Sequence, residues 1–441
     1  MVRHTWSGAG AAVLCALLLA ACSGGGKADD GGKGGSSASK PAKPSGPARL
    51  KARWQEPVAG NLDWVWTGHD MFVVRTGNGG KSSPGGLAGH DARTGEQRWK
   101  LRMPKGTDGV CTMTRQPNAD GIGAVVFATR TEHPDQGIRR DCTTVGALDI
   151  TTGELLWTER GTEQLRAVSL GRSVLSLTRW ETGVLQRFDA RSGKRLGTLG
   201  TPDSEIDDTF HDGTRIAVGD DARKSFTLYD AESGKRLWSS PAGTELRRIV
   251  TSEPVTTLEV RVGGKISTRT YDKRGKVLRT LVRDKQIHTS ERGFEGDRHP
   301  ADDGNTIAKP GLVPQFVLGD TLVTHLEDEP AKTVDDAHQV YKADHAYDLT
   351  AGKLRWKSEE EEHRPELFAA GAGTLLATVA DAKGVRLLAV DPEDGRRKTL
   401  ATLGPADGSD RVRPFAWDGE RLYASKGDSV AAYPLTRDDL R

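Results

Sequence analysis

A hairpin motif recurs along this chain. An apolar strand runs into an aspartate, a glycine follows three or four residues later, and a tryptophan often follows the glycine. The copies are Asp91, Gly95 and Trp99; Asp149, Gly153 and Trp157; Asp189 and Gly193; Asp230, Gly234 and Trp238; Asp272 and Gly275; Asp348, Gly352 and Trp356; and Asp391 and Gly395. An eighth copy, Ala432, Tyr433, Pro434 and Leu435, keeps the strand and loses the turn. The pattern has a mechanical reason. An aspartate carboxylate bonds backbone N–H groups just ahead of it and starts a turn. The glycine takes the positive φ that a tight hairpin needs. Alternating apolar residues bounded by such turns indicate strands rather than helices.

The spacing sets the architecture. Successive motif positions lie 58, 40, 41, 42, 76, 43 and 43 residues apart. The base period is that of a four-stranded propeller blade, and the two long intervals are one period plus an insertion. A further strand precedes each hairpin, at 71–74, 125–128, 174–177, 215–218, 256–260, 321–324, 374–378 and 421–424. These counts predict an all-β fold of eight four-stranded blades over residues 49–441. The last copy lacks the strand that should follow its turn. Residues 50–57, with Arg53 and Trp54, match the segment around Arg98 and Trp99. The N-terminal strand is therefore expected to complete the final blade and close the ring, which hides two sheet edges.

The first residues read as an export signal. Arg3 and His4 precede an apolar stretch over 9–21 that is too short to span a bilayer. It ends in Leu19, Ala20, Ala21 and Cys22, which resembles the bacterial lipobox. That resemblance implies cleavage after residue 21 and lipidation of Cys22, with each buried CH2 contributing about 0.8 kcal/mol to anchoring. Residues 22–48 are rich in Gly, Ser, Lys and Pro with little to bury, and read as a disordered linker. Of four cysteines, Cys15 leaves with the signal and Cys22 carries lipid, so Cys111 and Cys142 are expected to pair in an oxidising compartment.

The repeat resembles the pyrroloquinoline-quinone-type (quinoprotein-type) propeller repeat over most of residues 50–441. It departs from that repeat at Gly197, Arg279 and Thr399, where the docking tryptophan is missing. The family includes quinone-dependent dehydrogenases, the barrel-assembly lipoprotein of outer membranes, and uncharacterised lipoproteins of actinobacteria, which share the lipobox and linker. Membership does not imply the cofactor, because function belongs to sites rather than folds.

No catalytic constellation is visible. The adjacent cysteines of the dehydrogenases are missing, and the repeat aspartates have a sufficient duty in turns. Gly80, Lys81 and Ser82 resemble a phosphate loop, but Arg75 occupies the first glycine position. The histidines between His288 and His363 match no zinc spacing, and the cluster Asp302, Asp303 and Asn305 offers too few calcium ligands. No cofactor and no metal are expected. A net charge of +2, from 63 basic and 61 acidic side chains, argues against nucleic acid as a partner.

Two features rise above the repeat. One is the insertion near residues 284–314. The other is charge: residues 261–285 hold nine basic and two acidic side chains, and residues 324–366 hold twelve acidic and six basic. Arg261, Lys265, Arg269, Lys273 and the run Glu359, Glu360, Glu361 and Glu362 are the candidate partner surface. The expected protein is a monomeric, non-enzymatic propeller, held by lipid on the outer face of the cell membrane, that binds another envelope protein. The alternative is a small-molecule sensor or cofactor-dependent enzyme using the central funnel.

Overall fold

The computed structural model describes residues 49–441 apart from 58–64, 77–84, 115, 134–136, 180–183, 201–208, 212, 221, 284–286, 289–314, 328–340, 359–364, 383, 406–411, 428 and 441. These residues form an eight-bladed β-propeller. Every ladder within a blade is antiparallel. From the innermost strand outward, blade 1 is Val65–Gly68, Met71–Thr76, Gly86–Asp91 and Gln97–Lys100. Blade 2 is Thr107–Met113, Ile122–His133, Gly137–Asp149 and Leu155–Arg160. Blades 3, 4, 5 and 7 repeat the order and end in outermost strands Arg195–Leu199, Arg236–Ser239, Val277–Arg283 and Arg397–Gly404. Blade 6 carries an extra short strand, Ile287–His288, beside Gln315–Leu318, and ends in Lys353–Lys357. All eight strands expected ahead of the hairpins are second strands of blades.

The repeat turns form as the residue types require. The Asp91 carboxylate accepts the N–H groups of Arg93 and Thr94 at 2.8 and 3.1 Å, and Gly95 closes the turn onto the Asp91 carbonyl with φ at 81°. The same closure recurs at Asp149, Asp189, Asp230, Asp272, Asp348 and Asp391. In blades 1 to 4 the residue after the aspartate then ties two things together. Its N–H bonds a carbonyl in its own blade's first turn, as Ala92 does to Asp70, Ile150 to Gly121, Ala190 to Ser173 and Ala231 to Thr214. Its carbonyl takes a donor from the previous blade: Trp54 on Ala92, Trp99 on Ile150 and Trp157 on Ala190, all at 2.8–3.1 Å. In blade 7 Pro392, which has no N–H, makes only the second bond, accepting from Trp356 at 2.8 Å. The turn glycine lies under the indole, so a Cβ at Gly153 would meet Trp99.

Two of the missing tryptophans are replaced by arginines. Between blades 3 and 4, Arg187 donates to the carbonyls of Ala231 and Glu232 at 3.1 and 2.6 Å. Arg187 stands directly across the ladder from Gly197, the position that lost its indole. Between blades 5 and 6, Arg279 packs against Gly352 and donates to Ala351 at 3.3 Å. At the eighth position Leu435 takes over the turn's role. It donates to the Glu420 carbonyl and accepts the indole of Trp417 from its own blade's innermost strand.

The core is a ring of interfaces. Buried apolar clusters join blades 1 and 2 (Val73, Leu87, Phe127), 2 and 3 (Val126, Leu175, Phe188), and 3 and 4 (Leu185, Ile216). Others join 4 and 5 (Leu228, Trp238, Leu258), 5 and 6 (Val282, Leu322, Tyr347), 6 and 7 (Val323, Leu375), and 7 and 8 (Leu387, Leu422). The eighth interface closes the ring. Trp54–Pro57 is the outermost strand of blade 8, pairing Trp54 with Ala432 and Pro57 with Ser429. Phe72 of blade 1 stacks on Tyr423 of blade 8 at 4.9 Å, with Trp54 at 6.2 Å from both.

Candidate interaction surfaces

Alternating strand direction divides the connections between two ends of the ring. First-to-second and third-to-fourth connections lie at one end, the turn end. Second-to-third connections and those between blades lie at the other. Most first-to-second connections at the turn end are short, as at 69–70, 171–173, 319–320 and 372–373, while that of blade 2 runs from 114 to 121. The longest gaps between successive strands, including 77–85, 200–208, 289–314 and 328–340, fall between strand ends at the other end, the variable end.

Side chains lock the turn end across blades. Ser173 of blade 3 binds the Glu232 carboxylate of blade 4 through its N–H and hydroxyl at 2.9 and 2.5 Å. Asn118 of blade 2 donates to the Arg172 carbonyl of blade 3 at 2.7 Å. Arg355 of blade 6 joins Asp320 and Asp348 of its own blade to Glu393 of blade 7. Buried Arg421 of blade 8 pairs with Asp418 and Glu420 and lies 3.7 Å from Asp70 of blade 1. Every one of these groups is spent on holding neighbouring blades together.

Among the described residues the variable end has one built feature. Strands Ile122–His133 and Gly137–Asp149 of blade 2 are the longest in the ring and extend past the neighbouring blades as a hairpin. Its base is braced. Cys111 and Cys142 form a disulfide with Cα atoms 6.0 Å apart. They sit on the first and third strands of the blade, which a regular sheet would hold about 9–10 Å apart. Two β-bulges close that gap: Cys111 is the extra residue in one ladder and Thr143 in the other. Beside the disulfide, Gln164 donates to Asp141 at 2.9 Å. Buried Arg179 of blade 3 donates to the carbonyls of Glu163 and Thr143 at 3.0 and 3.4 Å. Burial pushes the Arg179 guanidinium below its ordinary value, with Glu159 and Glu163 opposing the shift. Gly161 leaves room for that guanidinium, because a Cβ there would overlap it.

The basic residues singled out in the sequence do not form one patch. Arg261 faces Glu245 at 3.5 Å and, with Lys265, flanks the Gly263–Gly264 turn at the variable end of blade 5. Lys273 lies in the repeat turn at the opposite end. Arg269, between them, donates to the Ser267 hydroxyl at 2.9 Å. It lies near Tyr271, whose hydroxyl is pushed up to about 12 by burial while Arg269 opposes. Glu359, Glu360, Glu361, Glu362 and Cys22 lie outside the described residues, as does most of the 284–314 insertion. Among the described residues no cluster of three or more His, Cys, Asp or Glu is placed to hold a metal ion. No described helix is long and apolar enough to cross a membrane.

The chain matches no protein-family model and no curated protein. Similar solved structures include the computationally designed Ika8 protein (12% identity, TM-score 0.49, 88% of this chain and 99% of that one). BamB from Moraxella catarrhalis is similar at 14% identity and TM-score 0.46, over 88% of this chain and 100% of that one. The C-terminal WD40 domain of Sif2 matches at 10% identity and TM-score 0.49, over 89% and 99%. Likenesses this distant say nothing about partners or chemistry, and the fold stands on its own strand topology.

Proposed function

We propose that this chain is a lipid-anchored, extracytoplasmic propeller that binds another cell-envelope protein through its variable end and performs no catalysis. One observation carries the reading: the two ends of the ring are built differently. The turn end uses its polar side chains to bind blade to blade. The variable end gathers the long connections and, among the described residues, an extended hairpin whose base a disulfide and a buried arginine hold rigid. Loops positioned by a rigid scaffold are where recognition sites concentrate. Cys22 supplies the anchor, the linker over 22–48 supplies reach, and the pyrroloquinoline-quinone-type repeat supplies the scaffold without a quinone.

Site-specific photo-crosslinking in cells tests this. A crosslinker placed in residues 134–136 should give one reproducible envelope-protein adduct, and one at Thr94, at the turn end, should give none. Adducts from Thr94 alone would overturn the assignment of the binding end. Cys22→Ser should release the chain from the membrane, and undiminished retention would remove the anchor.

A further inference from the structure

The outer rim is not uniform around the ring. Among the described residues, the exposed large apolar side chains are Leu196, Leu237, Val277, Leu278 and Leu354. They are 40–50% exposed and fall on four consecutive blades, 3 to 6. Each lies within the first two residues of its blade's outermost strand, so all stand at the turn end of the rim. Exposed cations accompany each one: Lys194 and Arg195, Lys235 and Arg236, Lys276, and Lys353. The acidic residues of these turns are occupied, the aspartates by backbone N–H groups and Glu232 by Ser173. On blade 2 the corresponding places hold Leu155 and Leu156, both half-buried beside exposed Glu154, and on blades 7, 8 and 1 they hold Arg397 and Lys398, Arg53, and Arg98 with no exposed leucine.

We infer that this arc is a docking surface for an anionic lipid bilayer, additional to the lipid anchor and independent of it. Cations alone would protect the unpaired edges of the outermost strands, so edge protection leaves the leucines unexplained. A second copy of the arc would bring like charges together. A folded protein partner would call for a contiguous apolar core, whereas here single leucines are set one to a blade. A bilayer interface accepts isolated apolar side chains between headgroups and places phosphates beside each neighbouring lysine or arginine.

Vesicle flotation of the mature chain, residues 22–441 with Cys22→Ser, tests the inference without the signal or the anchor. The chain should float with vesicles of phosphatidylglycerol and phosphatidylcholine in equal parts, and stay behind with phosphatidylcholine alone. Combining L196S, L237S, L278S and L354S should lower partitioning at least about tenfold. Combining R53Q, R397Q and K398Q, on the opposite arc, should change it little. Equal losses from both sets would mean diffuse charge adsorption and overturn the proposal. So would absence of flotation, or loss of a captured envelope protein instead of vesicle binding in the leucine variant. A polarity-sensitive dye on Leu237→Cys gives a reading that does not depend on the multiple variant folding. Its emission should shift to the blue on anionic vesicles, and an unshifted spectrum would also overturn the inference.

Discussion

At the scale of single residues, the chain uses one backbone position repeatedly. In blades 1 to 4 the residue after the repeat aspartate donates its N–H to the first turn of its own blade and receives a donor from the previous blade. The sequence shows the aspartates, glycines and tryptophans that frame this position, because their spacing is periodic. It hides Arg187, because that side chain comes from the third strand of its blade and not from the tryptophan's place on the fourth. The signal that reveals it is a swap across the ladder. Gly89 faces Trp99, Ala147 faces Trp157 and Ala346 faces Trp356, but Arg187 faces Gly197. Three of the four repeat indoles face a small residue (Trp238 faces Leu228), and where the indole is lost at Gly197 the facing residue is the large Arg187. Arg187→Ala should therefore cost about 2–3 kcal/mol by denaturant unfolding, since it strips donors from two carbonyls at a buried interface. A cost near zero would mean those carbonyls are satisfied some other way. The turn aspartates set an acid limit as well. The Arg98 guanidinium, bonded at 2.6 Å, holds the Asp91 carboxyl down to about 2. The Ser192 hydroxyl lowers Asp189, and backbone N–H groups lower Asp272 and Asp348. Groups depressed in the folded state stabilise it above their unfolded value and cease to do so as pH falls through the folded one. Stability should be level above about pH 5 and fall between about pH 4 and 2, as followed by melting temperature. A chain that loses no stability in that window would show that the turns do not depend on the ionised carboxylates.

At the scale of elements, the strands were legible and their lengths were not. Alternation and turn residues mark all eight second strands, yet nothing in the periodicity announces that Ile122–His133 runs on into a long hairpin. The extra residues between Asp91 and Asp149 indicate an insertion, but insertion length alone does not distinguish a loop from extended strands. Cysteine count suggested the pairing of Cys111 with Cys142, while the bulges that make it possible follow from register, which a single sequence does not encode plainly. The bond closes a loop of 31 residues in sequence separation. Replacing both cysteines by serine should lower stability by about 2–4 kcal/mol. The loss should be concentrated locally: hydrogen exchange should quicken in blade 2 and in residues 161–164 before it does in blades 5 or 6. Uniform quickening around the ring would mean the disulfide acts on the unfolded chain alone and does not brace the hairpin. Trp66 and Trp417 escaped the repeat for a related reason. They sit on innermost strands, where the motif has no tryptophan, and Gly123 and Gly371 make room for them in the next and preceding blades.

At the scale of the whole molecule, closure decides whether eight similar blades behave as one cooperative body. Seven interfaces join blades that are consecutive in sequence, so their contacts form at low cost in loop closure. The eighth joins residues near 54 to residues near 432, and closing that longer loop costs about 2 kcal/mol more in chain entropy. The composition of that seam fits the demand. Among the described residues Phe72, Tyr423, Trp54 and Phe415 make it the most aromatic interface, and the Tyr423 hydroxyl donates to Asp418 at 2.8 Å. Burial holds that hydroxyl well above the ordinary tyrosine value, with Asp418 adding to the shift, so it stays a donor at any physiological pH. Trp54→Ala should cost about 3 kcal/mol, the range for emptying an aromatic site, and should destabilise blades 8 and 1 together even though the mutation lies on one strand. Deleting residues 50–57 should go further. It leaves Ser429–Pro434 as an open edge, removes the cover from the Ala92 carbonyl, and frees the first and last blades to separate. The expected result is a lower melting temperature together with a broadened transition, because a ring that unfolds as a unit becomes an open stack that unravels from its ends. An unchanged, equally sharp transition in the deletion would show that blade-to-blade packing alone holds the ring. The aromatic seam would then be ordinary core with no special role in closure.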